Sequence, residues 1–277
     1  MKIAFDNGVI FAEADTLGAE LISIRYRGQE KLFQGNAWPH HAPVLFPVCG
    51  NCALQIGGKV YPLDRHGFAR KSEFVLRSKR KNAVCFELRA NQQTKAWYPF
   101  DFCFRVKYSL RGAGLYITYE VENFGNDTLY FSCGGHESFA LKGPIDAYEL
   151  QFDRAQRFVH LPHDGQGRLT GEKVDLGLGT ILPIPALKDG NTLILGRLHS
   201  RRVRLCERGG RALAEISFQG FPNLLLWRVG EENMICIEPW HNLPDGPESM
   251  EFAQKEGIIA LPPQKVRKFV RKIEYLA

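Results

Sequence analysis

Two histidines and one glutamate stand where apolar, strand-like segments of the chain are interrupted. His136 follows a pair of glycines, His66 precedes a glycine, and Glu238 follows three apolar residues and precedes a proline. Glycine and proline end strands or let the backbone approach another group closely. A carboxylate with a pKa of about 4.3 and a histidine with a pKa of about 6.5 need no large shift to act as general base and general acid at neutral pH.

Each of these residues also has a structural explanation. Glu238 could be a surface carboxylate at a strand end, because burial of an unpaired carboxylate is unfavourable. Both histidines could be structural residues that hydrogen-bond to the backbone. Local sequence alone leaves these alternatives open.

The elements that must position these residues are predicted to be β-strands. Twelve short segments have strand patterns, and Leu115–Val121 alternates apolar and polar residues cleanly. Turn residues separate the segments, which favours an all-β fold, a large β-sandwich or barrel, as one domain over residues 1–277. A short helix is predicted near Glu248–Glu256. Residues 153–191, rich in glycine and proline, are predicted to form a long surface excursion with little regular structure.

Composition excludes several classes of protein. The 277 residues are 44% hydrophobic with a net charge of +6, which is typical of a globular protein. The basic runs at 197–211 and 265–272 are interpreted as solvated faces, so we expect no nucleic-acid partner, although an anionic small substrate stays possible. No signal-like segment and no run of 18 apolar residues occurs, so we expect a cytoplasmic protein without membrane contact. The oligomeric state is not predicted.

Seven cysteines lie mostly inside apolar segments, which indicates buried, reduced thiols. Cys49 and Cys52 form one C-x-x-C motif without a second pair at zinc spacing. The pairs His40-His41 and His160-x-x-His163 lack a matching carboxylate and are interpreted as loop residues. We therefore predict no metal site, and the absence of nucleotide-binding motifs and of G-x-S-x-G argues against a nucleotide cofactor or a serine nucleophile.

Six motifs, taken together and in order, resemble the shorter bacterial branch of the aldose 1-epimerase (galactose mutarotase) family. They span about residue 40 to residue 262 and read PVLFPVCG from Pro43, HGFAR from His66, YPFDF from Tyr98, GGH from Gly134, IEPW from Ile237 and KEG from Lys255. Single motifs of this kind would be weak, whereas six in order are specific.

The resemblance implies a galactose mutarotase-like supersandwich with a sugar in an open cleft, and cofactor-free interconversion of α and β anomers. By position, Glu238 is similar to the family's general base, His136 to its general acid and His66 to a second histidine at the sugar. Arg70 is similar to an arginine near the sugar. We interpret the two glycines before His136 as a break that lets the sugar approach.

Aromatic residues are expected to stack on the sugar, and the candidates are Phe68, Trp240 and Trp97. The chain also departs from the family pattern. Asn51 stands where an arginine is common, and Asn191, or in another alignment Asp189, stands where an aspartate is expected. We predict Asn51 and Asn191 as substrate-binding residues whose identity affects which sugar is bound.

Three functions follow as hypotheses. The first is an aldose 1-epimerase, an isomerase acting on a hexose or related aldose by general acid/base ring opening. The second is a hexose-phosphate 1-epimerase, in which Arg70 would bind the phosphate. The third is a carbohydrate-binding protein without turnover, because a fold alone does not establish function.

Overall fold

The computed structural model describes residues 1–184 and 192–276, and strands make up most of the secondary structure in this part of the chain. The strands in chain order are β1 Lys2–Asp6, β2 Ile10–Asp15, β3 Leu21–Tyr26, β4 Gln29–Glu30, β5 Leu54–Ile56, β6 Lys59–Tyr61, β7 Val75–Arg80, β8 Ala83–Arg89, β9 Phe102–Arg111, β10 Gly114–Asn123 and β11 Leu129–Phe131. They continue with β12 Glu137–Ala140, β13 Tyr148–His160, β14 Val174–Pro183, β15 Thr192–Leu195, β16 Arg202–Glu207, β17 Ala212–Ser217, β18 Asn223–Trp227, β19 Met234–Trp240, β20 Ile259–Leu261 and β21 Val266–Tyr275.

Helices are few and short in the described residues. The α-helix α1 spans Gln92–Trp97, and short 3-10 turns occur at Ala69–Lys71, Ile145–Ala147 and Phe252–Gln254. The predicted helix at Glu248–Glu256 is wrong, since only the last of these turns lies there. The Glu251 carboxylate accepts hydrogen bonds from the backbone of Gly57 and Gly58, each at 2.9 Å, so the segment is held against another loop.

Long-range antiparallel pairing builds one large sheet in the order β12-β19-β18-β15-β13-β16-β17-β21-β10-β9-β8-β7, with β14 paired to β13. A second sheet has the order β1-β2-β3-β4. Alternating burial along β2 and β10 shows that one side of each strand faces the interior. The all-β sandwich predicted from strand patterns is confirmed.

One hydrophobic cluster includes side chains from the four-stranded sheet and from both halves of the large sheet. The ring of Phe5 in β1 stacks on Tyr108 in β9 at 6.4 Å, and the Tyr108 hydroxyl donates a 2.7 Å hydrogen bond to the Ala19 carbonyl. That residues 1–277 form a single domain stays a prediction.

The described part of the segment 153–191, residues 153–184, is more regular than predicted. Its first residues extend β13, and β14 pairs with β13 through a register that shifts twice. Most β14 residues are exposed and two are glycines, so the segment lacks the alternation that identifies a half-buried strand.

The seven cysteines form no disulfide, and all but Cys85 are buried, as the sequence predicted. Burial raises the pKa of both thiols in the C-x-x-C motif, Cys49 and Cys52, which gives them no thiolate reactivity at neutral pH. Among the described residues, no helix has the length and hydrophobicity needed to cross a bilayer.

Candidate active site

Strand register places Glu238 and His136 side by side on one face of the large sheet. Glu238 in β19 lies opposite Leu225 in β18, and Glu137 in β12 pairs with Ile237. His136 comes just before Glu137, and the strands are antiparallel, so His136 lies directly opposite Glu238. The His136 Nε2 and Glu238 Oε2 atoms are 3.3 Å apart, and both side chains are almost completely buried at the floor of a cleft.

His66 reaches the same cleft from a tight turn outside the sheet. Its φ of +67° is in the left-handed region, and the next residue, Gly67, has a φ of +73°. A side chain at Gly67 would collide with the Phe46 carbonyl, so this turn requires glycine. The Gly50 N–H donates to His66 Nδ1 at 3.0 Å, which leaves the proton of the neutral ring on Nε2, and the ring lies 5.4 Å from His136.

Three indole rings form the walls around the histidines. Trp38 stacks on His136 at 4.9 Å, and Trp227 meets both rings edge-on, at 5.8 Å from His136 and 5.2 Å from Trp38. Trp240 packs against His66 at 5.3 Å. The cleft between them has a volume of about 650 Å³, which is within the usual range of small-molecule sites.

Burial changes the acid/base properties of these residues. It raises the pKa of Glu238 well above its ordinary value, and the nearby Glu137 carboxylate adds to this effect. Burial also lowers the pKa of His136 to about 3 and that of His66 well below its ordinary value. The expectation that these groups function without a large pKa shift is therefore wrong, because burial disfavours the charged form of each one.

Comparison with known proteins shows what the chain resembles. The sequence model of the family described as "Aldose 1-epimerase" matches residues 1–177. The chromosomal protein LacX of Lactococcus lactis is 30% identical over 266 residues, which cover 88% of each chain. The chain belongs to the aldose 1-epimerase family.

Two solved structures resemble this family member along its whole length. A galactose mutarotase-like protein from Lactobacillus casei has a TM-score of 0.93 at 26% identity and covers 100% of both chains. A galactose mutarotase related enzyme from Lactobacillus acidophilus has a TM-score of 0.91 at 26% identity, covering 100% of this chain and 98% of that one. The fold is thus the galactose mutarotase-like sandwich that the resemblance implied.

Most of the site residues predicted from the sequence lie together in the cleft. The structure brings Arg70, Asn51 and Trp240 into the cleft lining with His66, His136 and Glu238. Arg70 donates to the Arg65 carbonyl at 3.1 Å, and its buried Nε has no hydrogen-bond partner among the described residues.

Asn51 lies at the rim of the cleft, and both the oxygen and the nitrogen of its side-chain amide form hydrogen bonds within the protein. Its Oδ1 accepts a hydrogen bond from Arg65 Nε at 3.1 Å, and its Nδ2 donates to the Gln166 carbonyl. Arg65 Nη2 donates to the same carbonyl at 3.2 Å. Asn51 thus joins the turn before His66 to the loop 161–170.

Trp97 does not line the cleft, and neither does Phe68. Phe68 is 5% exposed, and its ring packs against Phe46 at 6.1 Å, Tyr98 at 6.0 Å and Phe102 at 5.9 Å. The prediction that it stacks on a sugar is wrong because the turn at His66 and Gly67 directs the next side chain into the core. Asn191 and Asp189 lie outside the described residues.

Sequence reasoning missed several residues that line the cleft. They are Trp38, Trp227, Arg65 and the loop residues His163, Asp164, Gly165 and Gly167. The position of Trp227 could have been found from strand pairing, because it lies on the strand next to Glu238 and faces the same side. Trp38 lies in an irregular segment, where no periodic signal exists.

Proposed function

We propose that this protein interconverts the α and β anomers of an aldose by general acid/base ring opening. The observation that carries the proposal is the 3.3 Å contact between His136 Nε2 and Glu238 Oε2 at the floor of the cleft. The C1 hydroxyl and the ring oxygen of an aldose are bonded to the same carbon. Two adjacent proton-transfer groups can therefore reach both oxygens at once.

The proton transfers balance within the pair. Glu238 removes the proton from the C1 hydroxyl while His136 delivers a proton to the ring oxygen, so the bond from C1 to the ring oxygen breaks and C1 becomes an aldehyde carbon. After rotation about the C1–C2 bond, the two residues exchange roles and the ring closes on the other face. His136 and Glu238 supply and accept every proton in this cycle of C–O bond cleavage and re-formation, which requires no cofactor.

Buried polar atoms around the cleft are suited to binding sugar hydroxyls. His136 Nδ1, Arg70 Nε and Trp240 Nε1 have no hydrogen-bond partners among the described residues, and a buried donor without a partner is unfavourable. We assign Arg70 and Trp240 to substrate binding and His66 to hydrogen bonding at the sugar through its Nε2. The indoles of Trp38, Trp227 and Trp240 offer apolar surface for the ring face of a hexose. The substrate-binding roles of Asn51 and Asn191 stay predictions.

A hexose phosphate is a second candidate substrate, and one observation favours it. The guanidinium groups of Arg65 and Arg70 both line the cleft, together with His163. Arginine binds phosphate strongly through paired hydrogen bonds. Higher kcat/KM for a phosphorylated hexose, lost in Arg70→Met, would favour this substrate over the unphosphorylated sugar.

The experiment is to measure anomer exchange by NMR with a panel of aldoses and hexose phosphates. We expect Glu238→Gln to lower the exchange rate by about 10²- to 10⁴-fold, the usual contribution of one general acid or base. Glu248→Gln, at an exposed position outside the cleft, is the matched control and keeps full activity. If the wild type binds sugars but exchanges none faster than buffer, the protein is a carbohydrate-binding protein and the enzymatic proposal is wrong.

A further inference from the structure

A thiol lies beside the acid/base pair on the same face of the sheet. Cys236 is two residues before Glu238 in β19, and strand alternation therefore puts both side chains on one side. Trp227 is the cross-strand partner of Cys236, and Cys236 belongs to a buried cluster against which Trp38 and Trp227 pack. His136, Cys236 and Glu238 each offer one ligand atom, and these atoms all lie within 4.8 Å of one another.

We propose that His136 Nε2, Cys236 Sγ and a Glu238 carboxylate oxygen form a binding site for a borderline-soft divalent cation, Zn²⁺. The sequence predicted no metal site, because the three residues match no spacing motif and meet only through pairing of β12 with β19. The ligand set has imidazole, thiolate and carboxylate, the three donor types that proteins use for zinc.

The spacing fits a tetrahedral ion. Zinc bonds of about 2.0–2.1 Å to nitrogen and oxygen and about 2.3 Å to sulfur place neighbouring ligand atoms roughly 3.3 to 3.6 Å apart. The distance from His136 Nε2 to Glu238 Oε2 is already 3.3 Å. The other distances, which are at most 4.8 Å, must close by at most about 1.2 to 1.5 Å, a movement within the reach of side-chain rotations.

The environment predicts selective and reversible binding. The Glu238 Oε2 atom is buried and has no hydrogen-bond partner among the described residues, so it is available to a cation. Burial raises the pKa of the Cys236 thiol, as it does for Cys49 and Cys52, so the cation must displace the thiol proton. The resulting thiolate and an imidazole favour Zn²⁺ and Co²⁺ over Mg²⁺ and Ca²⁺. His136 Nδ1 also lacks a partner, so the second hydrogen bond that strengthens tightly held zinc is missing. Three protein ligands leave a fourth position for water or a sugar hydroxyl.

Metal binding and proton transfer need the same two side chains. An ion on His136 and Glu238 blocks both groups, so Zn²⁺ inhibits anomer exchange; this inhibitory consequence rests on the proposed function, whereas binding itself does not. Binding displaces one proton from the Cys236 thiol and one from the His136–Glu238 pair. Apparent affinity therefore increases with pH.

The test is titration of the full-length protein with Co²⁺ as a spectroscopic probe for the zinc site. We expect one equivalent of Co²⁺ to give a thiolate-to-cobalt charge-transfer band and a tetrahedral visible spectrum, both of which Zn²⁺ abolishes. Cys236→Ser loses the charge-transfer band, and the Zn²⁺ concentration for half-inhibition of exchange rises at least ten-fold. Cys85→Ser is the control, because Cys85 is the least buried thiol and lies outside the cluster.

The outcomes separate the metal site from the proposed function. No charge-transfer band in the wild type, or an unchanged band in Cys236→Ser, overturns the metal site. If Cys236→Ser does not fold, as judged by circular dichroism, the Glu238→Gln variant serves instead, and an unchanged affinity for Co²⁺ in that variant also overturns it. A band that depends on Cys236 in a protein without exchange activity supports the site and counts against the epimerase proposal.

Discussion

At the scale of single residues, the His136–Glu238 contact determines how the site responds to pH. A neutral histidine beside a protonated glutamic acid holds the same number of protons as an imidazolium beside a carboxylate. Burial favours the neutral form of both groups, and this form is what the pair becomes after ring opening. The two states differ only in which atom holds one proton, so the cycle needs no proton exchange with bulk water.

The singly protonated pair is the active form, and we predict a broad pH plateau in kcat/KM. Activity falls on the acid side only as the pair gains a second proton, near the His136 pKa of about 3, far below the 6.5 of an ordinary histidine. It falls on the alkaline side as the pH passes the raised pKa of Glu238. Exchange rates corrected for spontaneous mutarotation give the profile. An acid limb centred near the pKa of an ordinary histidine would contradict the assignment.

At the scale of elements, the segment before β12 shows why the glycines precede His136. Cβ atoms built at Gly134 would lie 2.8 Å from Cys49 Sγ, and at Gly135 they would overlap the Arg271 guanidinium. Neither glycine has a positive φ, so the requirement is for space, and protein atoms fill that space. The interpretation that the glycines let a sugar approach is wrong. Gly135 lets the segment before β12 pack over Arg271, and Gly134 lets it pack against Cys49 and Trp240.

Arg271 supports β12 from the interior of the sandwich. It is fully buried, donates to both carboxylate oxygens of Glu137, and donates to the Tyr119 hydroxyl at 2.9 Å. Since Glu137 directly follows His136, this ion pair fixes the strand end that carries the proposed acid. Loss of one partner of such a buried pair typically destabilises a protein by about 3–5 kcal/mol.

We predict that Gly135→Ala lowers the free energy of unfolding by about 1–3 kcal/mol, since Arg271 cannot move away without loss of its ion pair. Activity falls as well, because the displaced strand end carries His136. Gly143→Ala is the matched control: no atom lies within 4 Å of its added Cβ, and its φ is not positive. Urea unfolding measured by fluorescence compares the two variants. Equal stability would show that the space beside Gly135 is not required.

At the scale of the whole molecule, buried histidines connect stability to pH. Burial lowers the pKa of His66 well below its ordinary value and that of His241 to about 4. His241 is held at Nδ1 by the Cys133 carbonyl at 2.9 Å and packs on Phe221 and Phe269. The His136–Glu238 pair holds one proton in the folded protein. In the unfolded chain near pH 5.5 the two groups together also bind about one proton, so this pair adds no pH dependence to the free energy of unfolding there.

We predict that the free energy of unfolding falls as the pH is lowered below about 6.5, where unfolded histidines bind protons that folded His66 and His241 do not. Each of the two contributes about 1.4 kcal/mol per pH unit, until the pH reaches its folded pKa. Urea unfolding at several pH values measures this slope. His241→Gln should lower this slope by about 1.4 kcal/mol per pH unit, and His160, whose pKa burial also lowers, adds to what remains. A slope of zero in the wild type would show that these histidines protonate in the folded state.

The sequence by itself determined the fold class, the approximate strands and the chemical types at the site. Runs of apolar and β-branched residues bounded by turn residues indicate a strand wherever it lies in the fold, so strands such as β15 and β21 are predicted at the bounds that the structure has. Glu238, His136 and His66 were identifiable because polar residues interrupt apolar segments beside glycine or proline.

Tertiary structure alone decided which residues meet. The 3.3 Å contact of His136 with Glu238, the position of Cys236 and the place of Trp38 depend on pairing between segments about 100 or more residues apart, and local sequence carries no record of that pairing. The pKa values depend on burial by the complete fold. The role of Gly135 likewise depends on Arg271, 136 positions later in the chain. The interior is close-packed, and the Arg271 guanidinium fills the space that a side chain at position 135 would need.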